Sequence, residues 1–182
     1  PGLPVGELDL LPPEERRRLL EEWNATERPY PRDLCVHQLF EAQAARTPDA
    51  AAVEFGDETL TYAELNARAN RLAHRLRRSG VGPETIVALF LERSPELVVG
   101  ILGVLKAGGA YLPLDPAYPP ERLRYMLEDS GARVLVTSEA LRERLGAASP
   151  AEGGAVLWLD SIEQDLAAED DSNLPTTVGS EN

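Results

Sequence analysis

The sequence predicts an α/β fold: a layered, mostly parallel sheet with flanking helices. Three observations carry that prediction. Four short apolar runs of strand length occupy residues 85–91, 110–114, 133–137 and 156–159. Helix-patterned stretches lie between them, and such alternation argues parallel strands joined by right-handed crossovers. The helical stretches open on prolines or capping residues and close on glycines, as helices do.

Taken in order, residues 1–11 form a lead-in punctuated by proline and glycine. Residues 12–23 form a short helix that starts on prolines and glutamates, continues through Arg16, Arg17 and Arg18, and sets Leu19, Leu20 and Trp23 on one side for a neighbouring surface. Pro29 and Pro31 break the linker that follows. A helix over 34–46 presents Val36, Leu39, Phe40 and Ala44 at roughly helical spacing, and Thr47-Pro48 ends it. A strand at 51–55 turns at Gly56-Asp57 into a second strand at 59–61. Thr61 and Glu64 have the spacing of a capping box. The helix they open carries an apolar stripe of Tyr62, Leu65, Ala69, Leu72, Ala73 and Leu76. Arg68, Arg71, Arg75 and Arg78 lie off that stripe and read as a solvated face, and Gly80 closes the helix.

The strand at 85–91 leads to Ser94-Pro95-Glu96: a capping hydroxyl, a proline at the first helical position and an acid in the first turn. Residues 97–105 are nearly all apolar or glycine, so this helix must be covered on every side. Lys106 supplies a cation at its carboxyl end, and Gly108 or Gly109 can take the left-handed stop. The strand at 110–114 follows, and Asp115 sits at its carboxyl end, suited to capping the turn through residues 116–120. A helix from Pro119-Pro120-Glu121 to Gly131 points Leu123, Met126 and Leu127 inward. The strand at 133–137, a short helix ended by Gly146 and the strand at 156–159 complete the pattern. From Ser161 the periodicity fades into an acidic stretch expected to be poorly ordered.

The chain has 182 residues and a net charge of −13, a balance that argues against nucleic-acid or anionic-membrane partners. The excess is uneven: from Glu139 onward there are ten acids and two arginines. One cysteine permits no internal disulfide and fits a reducing cytoplasm. No run of about 18 or more apolar residues suggests a membrane span. The chain opens on Pro1, as an excised or processed piece would.

Two motifs add a resemblance. Leu105-Lys106-Ala107-Gly108-Gly109-Ala110-Tyr111-Leu112-Pro113-Leu114-Asp115-Pro116 resembles the second core motif of nonribosomal peptide synthetase adenylation domains, in the adenylate-forming, AMP-binding enzyme family. Leu60-Thr61-Tyr62-Ala63-Glu64-Leu65 resembles the first, in the family's order and at about its spacing. The resemblance implies an interdomain linker with a short helix at 1–35, the amino-terminal part of the adenylation domain's large subdomain at 36–160, and an acidic connection at 161–182. That part is incomplete. Its implied role is scaffold for ATP- and Mg²⁺-dependent aminoacyl-adenylate formation and transfer to a carrier-protein phosphopantetheine. The implied partners are the remainder of the adenylation domain, an upstream condensation domain, a downstream carrier protein and, in some members, an MbtH-like helper.

The motif residues Leu60, Thr61, Tyr62, Glu64, Leu65, Leu105, Lys106, Ala107, Gly108, Tyr111, Pro113 and Asp115 are therefore expected to be structural. No catalytic, cofactor-binding or metal-ligating residue is assigned in this chain. In the family a Ser/Thr/Gly-rich phosphate loop closed by lysine follows this region. Thr176-Thr177-Val178-Gly179-Ser180 lacks that lysine and reads as connecting sequence. There is no G-x-G-x-x-G between strand and helix, and Cys35-x-His37 has no second pair to complete a metal site. Two alternatives stay open: a noncatalytic interaction module on the same scaffold, and part of an acyl-CoA ligase-like enzyme. A sheet edge that later strands normally pair would leave the isolated chain marginal in solution.

Overall fold

A computed structural model describes residues 11–181, so the lead-in read at residues 1–11 lies almost wholly outside the described residues. The chain divides into two compact units, one ending at Arg32 and one beginning at Asp33. In the first, α1 (Pro13–Arg17) runs into a π turn at Arg18–Glu22. Asn24 Nδ2 closes that turn by donating to the carbonyls of Leu19 at 2.7 Å and Leu20 at 3.2 Å. Leu20 and Trp23 are exposed.

The second unit is α/β, with a four-stranded parallel sheet flanked by helices. The strands β3 (Ile86–Phe90), β4 (Ala110–Pro113), β5 (Val134–Thr137) and β6 (Ala155–Trp158) lie in the order β4-β3-β5-β6. Central β3 pairs Val87 with Tyr111 on one side and with Val134 on the other. Being covered on both faces, it reads as a continuous apolar run. Its side chains alternate: Val87 and Leu89 enter one core, Ala88 and Phe90 the other. β4 and β6 are the outer strands.

The first core is capped by α3 (Tyr62–Arg78) and α4 (Pro95–Ala107), the second by α5 (Pro120–Ser130) with α6 (Arg142–Leu145). Leu65, Ala69, Leu72, Ala73 and Leu76 bury the stripe of α3, and Leu123 and Leu127 bury that of α5. α4 is the nearly all-apolar helix, and its interior glycines have a packing reason. A Cβ at Gly103 would stand 2.9 Å from Leu72 Cδ2, so the absent side chain is what lets α3 and α4 approach. An antiparallel hairpin of β1 (Ala51–Phe55) and β2 (Glu58–Thr61) turns at Gly56 and delivers Leu60 to the first core.

Three expectations are corrected. Hydrophobic spacing turns the helix α2 (Val36–Arg46) inward through Val36, Leu39, Phe40 and Ala44, but Val36 and Leu39 are exposed. Its inner face is His37, Phe40, Glu41 and Ala44, a helical stripe that includes two polar residues and so escapes a hydrophobicity pattern. Ser94 occupies the N-cap of α4, but its hydroxyl makes no capping bond; its carbonyl accepts from the Leu97 N–H at 3.2 Å instead.

The third correction concerns the acidic segment. Composition predicts poor order there, yet the segment forms α7 (Glu163–Ala167) and then runs along α3 with defined partners. Arg71 pairs with Asp171 at 2.9 Å and Arg78 pairs with Glu169. Leu174 is buried in the first core. The arginine face that reads as solvated is thus partly covered by the chain's own acids.

Filling the α3–α4 contact tests this packing. Gly103→Val should lower the urea unfolding midpoint by an amount equivalent to about 1–3 kcal/mol, the usual cost of overpacking. An unchanged midpoint would place the two helices further apart than described.

Candidate functional site

The first motif builds a helix start. The Thr61 hydroxyl accepts from the Glu64 N–H at 3.2 Å, and Glu64 Oε2 accepts from the Thr61 N–H at 2.9 Å. The bond from the Thr61 N–H, and after it one that the Thr61 hydroxyl donates to Glu64 Oε2 at 2.9 Å, hold the exposed Glu64 carboxyl below the usual carboxylate range. Leu60 and Leu65 are buried, and the Tyr62 ring lies 5.8 Å from that of Phe40.

The second motif carries the chain from α4 into β4. Ala107 is buried and Leu105 half-buried. Gly108 ends α4 at φ 90°, a left-handed position suited to glycine. The rest of the chain approaches both glycines closely. A Cβ at Gly108 would stand 2.7 Å from Thr177 Oγ1, and one at Gly109 would stand 2.8 Å from Val81 Cγ1. A cavity of about 610 Å³ opens beside the two glycines, lined by Cys35, His37, Tyr111 and Val178 among others. Tyr111 and Pro113 are exposed on β4. Asp115 Oδ1 accepts from the Ala117 N–H at 2.8 Å, which fixes the turn toward α5.

Lys106 is the residue whose placement departs most from expectation. Its position in the sequence suggests a cation at the open end of a helix. Its side chain is instead only 1% exposed and faces α2 and α3. The ammonium donates to the Glu41 carboxylate, to Asn66 Oδ1 at 2.9 Å and to Asn173 Oδ1 at 3.4 Å, and stands 5.8 Å from the Phe40 ring centre. Burial pulls its pKa down while the Glu41 bond opposes that shift. A buried charge persists only when paired and hydrogen-bonded, and this one is both.

Asn173 Oδ1 also accepts from Asn66 Nδ2 at 2.9 Å and Asn70 Nδ2 at 3.0 Å, so three donors from α3 and α4 converge on one oxygen of the acidic segment. Around it, Asn70 Nδ2 donates to the Asp171 carbonyl at 2.6 Å, and His74 Nε2 lies 3.2 Å from the Ser172 carbonyl. Arg77 donates to the carbonyls of Pro175 at 2.6 Å and Ala107 at 3.3 Å. His37 is buried beside Lys106, Arg77 and Glu41. Burial lowers its pKa, Glu41 opposes, and the two cations add to the lowering. The two motifs therefore meet: Asn66, one residue past the first, holds the lysine of the second. Glu41, Asn66, Asn70, Arg77 and Asn173 are not expected from the sequence. The legible hint is a single lysine in a chain rich in arginine.

A second feature lies at the carboxyl ends of β3, β5 and β6, where open α/β sheets place ligands. A cavity of about 520 Å³ there is lined by Arg68, Glu92, Ser94, Ser138, Asp160 and Glu163 among others. Its charges are largely matched within the chain. Arg68 lies 3.5 Å from Glu58 and 3.8 Å from Glu96. Asp160 accepts from the Glu139 N–H at 2.9 and 3.1 Å, capping the 3₁₀ turn before α6. Among the described residues no cluster of three or more His, Cys, Asp or Glu could hold a metal, and no helix is long and apolar enough to cross a membrane.

Comparison with known proteins gives three findings. The AMP-binding enzyme family matches residues 40–180. Among its relatives, a protein of the linear gramicidin synthase of Brevibacillus parabrevis is 52% identical over 166 residues, covering 91% of this chain. The chain spans only 3% of that relative's length. Two solved structures are similar. The nonribosomal peptide synthetase FmoA3 matches with TM-score 0.78 and 36% identity over 90% of this chain and 17% of that one. The N-terminal domain of FACL13 from Mycobacterium tuberculosis matches with TM-score 0.71 and 25% identity over 79% of this chain and 38% of that one.

Two measurements test the cluster. Glu41→Leu strands a buried ammonium and should cost roughly 3–5 kcal/mol in urea unfolding, whereas Glu41→Leu with Lys106→Met should recover most of the loss. Equal costs for the single and double variants would show that the charges are not paired. Because the folded state resists protonating His37, its contribution to stability is full above about pH 6.5 and is lost as pH falls through the lowered value. His37→Gln should therefore flatten the fall in thermal midpoint as pH drops below about 6.5, and a profile that keeps its slope would contradict this.

Proposed function

The chain belongs to the AMP-binding enzyme family, and from that premise we propose that it is the amino-terminal scaffold of an amino-acid-activating adenylation domain in a nonribosomal peptide synthetase. In this reading residues 1–35 are the linker from an upstream condensation domain. Residues 36–160 open the large subdomain, and residues 161–182 lead toward the phosphate loop. The parent enzyme is a cytoplasmic ligase. It uses ATP with Mg²⁺ to convert an amino acid to its aminoacyl-adenylate and passes the acyl group to the phosphopantetheine of a downstream carrier protein. The remainder of the adenylation domain is the immediate partner, and an MbtH-like protein is a candidate helper.

The observation that carries this reading is the contrast in similarity. The chain is 52% identical to a gramicidin synthase across nearly all its length. It is 25% identical to FACL13 over a shorter stretch. What this chain contributes is placement. Its sheet, its two motif-built helix junctions and the Lys106 cluster hold the segment at 169–181 in a fixed path.

ATP–pyrophosphate exchange tests the proposal. A polypeptide extended through the phosphate loop and the rest of the domain should exchange label only with an amino acid present. Residues 1–182 alone should give no exchange above background. Exchange that depends on a fatty acid and not on any amino acid would overturn the proposal, as would robust exchange by the short chain.

A further inference from the structure

The acidic segment is held in place by side chains, with little secondary structure of its own. Between Glu169 and Thr177 it forms no helix or strand, yet six residues of α3 bind it. Asn70 and Arg77 donate to its backbone carbonyls, Arg71 pairs with Asp171 and Arg78 with Glu169. From α2, Gln38 Nε2 donates to Thr176 Oγ1 at 3.4 Å. The centre of this grip is Asn173 Oδ1, which three donors share, one of them the buried ammonium of Lys106. Two residues past that lysine, the missing side chain of Gly108 leaves room for Thr177. Each contact spans at least 67 residues of sequence, so together they set where the chain points as it leaves this scaffold.

We propose that Lys106 and Asn173 are positioning residues for adenylate formation: the buried lysine, through the Asn173 carboxamide, fixes the path of the segment that leads to the triphosphate-gripping loop. This rests on the function proposed above, in which that loop follows residue 182. Neither residue touches substrate. The ammonium orients an amide oxygen, the amide fixes the backbone of residues 171–175, and that backbone carries the loop. A loop displaced by about 1 Å costs up to roughly a hundredfold in rate even when the altered residue is remote.

The test uses the complete adenylation domain in ATP–pyrophosphate exchange. Asn173→Ala cuts the link and leaves Lys106 with Glu41 and Asn66 and leaves Asn70 with the Asp171 carbonyl, and an unchanged circular-dichroism spectrum checks that the fold is kept. This variant should lower kcat/KM for ATP about tenfold while leaving KM for the amino acid unchanged. The double variant Glu41→Leu with Lys106→Met removes the ammonium without stranding a charge and should show an ATP-specific loss in the same direction but smaller, because Asn66 and Asn70 still donate to Asn173. Adding Asn173→Ala to it should lower kcat/KM only to the level of Asn173→Ala alone, because the lysine acts through that one carboxamide. Wild-type kinetics in Asn173→Ala, losses that multiply in the triple variant, or an equal loss for ATP and amino acid would each overturn the proposal. Failure of the unmodified domain to exchange with any amino acid would instead sink the underlying functional reading.

Discussion

One buried positive charge organises the second unit. Lys106 ends the most apolar helix of the chain, and its ammonium turns inward to Glu41, Asn66 and Asn173. Taking an ammonium out of water carries a penalty of several kcal/mol that only close, complete pairing offsets. The pairing therefore dictates what must come together. α2 has to bring Glu41, α3 has to bring Asn66, and the acidic segment has to bring Asn173. An apolar contact would tolerate sliding between these elements; an ion pair sharing acceptors with two amides does not, because each partner left behind is a buried unsatisfied group.

The helix α3 translates that constraint into architecture. One face is an apolar stripe against α4 and the sheet, close because Gly103 offers no side chain to Leu72. The adjoining face bears amides and arginines that receive the acidic segment. The uneven charge of the chain acquires a physical meaning here. The acids concentrated near its carboxyl end lie opposite the arginines of a helix 91 to 100 residues earlier. Exposed pairs of this kind each add little to stability. Their use is to choose one path for a segment that has no ladder of backbone bonds to choose it.

Much of the fold is legible in the sequence because its signals are local. The four apolar runs are the four parallel strands. The Thr61–Glu64 box is a helix start, Gly108 and Gly131 are left-handed helix ends, and Asp115 caps its turn. What escapes depends on partners distant in sequence. The inner face of α2 contains His37 and Glu41, which hydrophobic periodicity scores as outward, so Val36 and Leu39 take their place. Lys106 looks like a helix-end cation because its local context is the same whether it faces water or a carboxylate 65 residues away. The segment after Ser161 has the composition of a disordered tail, and only the basic face of α3 shows why it lies down. The candidate site is therefore half visible: the two motifs can be found, but the side chains that join them cannot.

In the proposed reading the chain contributes geometry: strand ends, helix junctions and an anchored exit path. That account depends on Lys106 being a charged, enclosed side chain. Because it is the only lysine, lysine-specific ¹⁵N labelling gives a single Nζ signal in this chain. The account predicts an ammonium whose protons exchange slowly with water at neutral pH, and whose protection is lost on Glu41→Leu. A signal that exchanges like that of free lysine in the folded chain would contradict it.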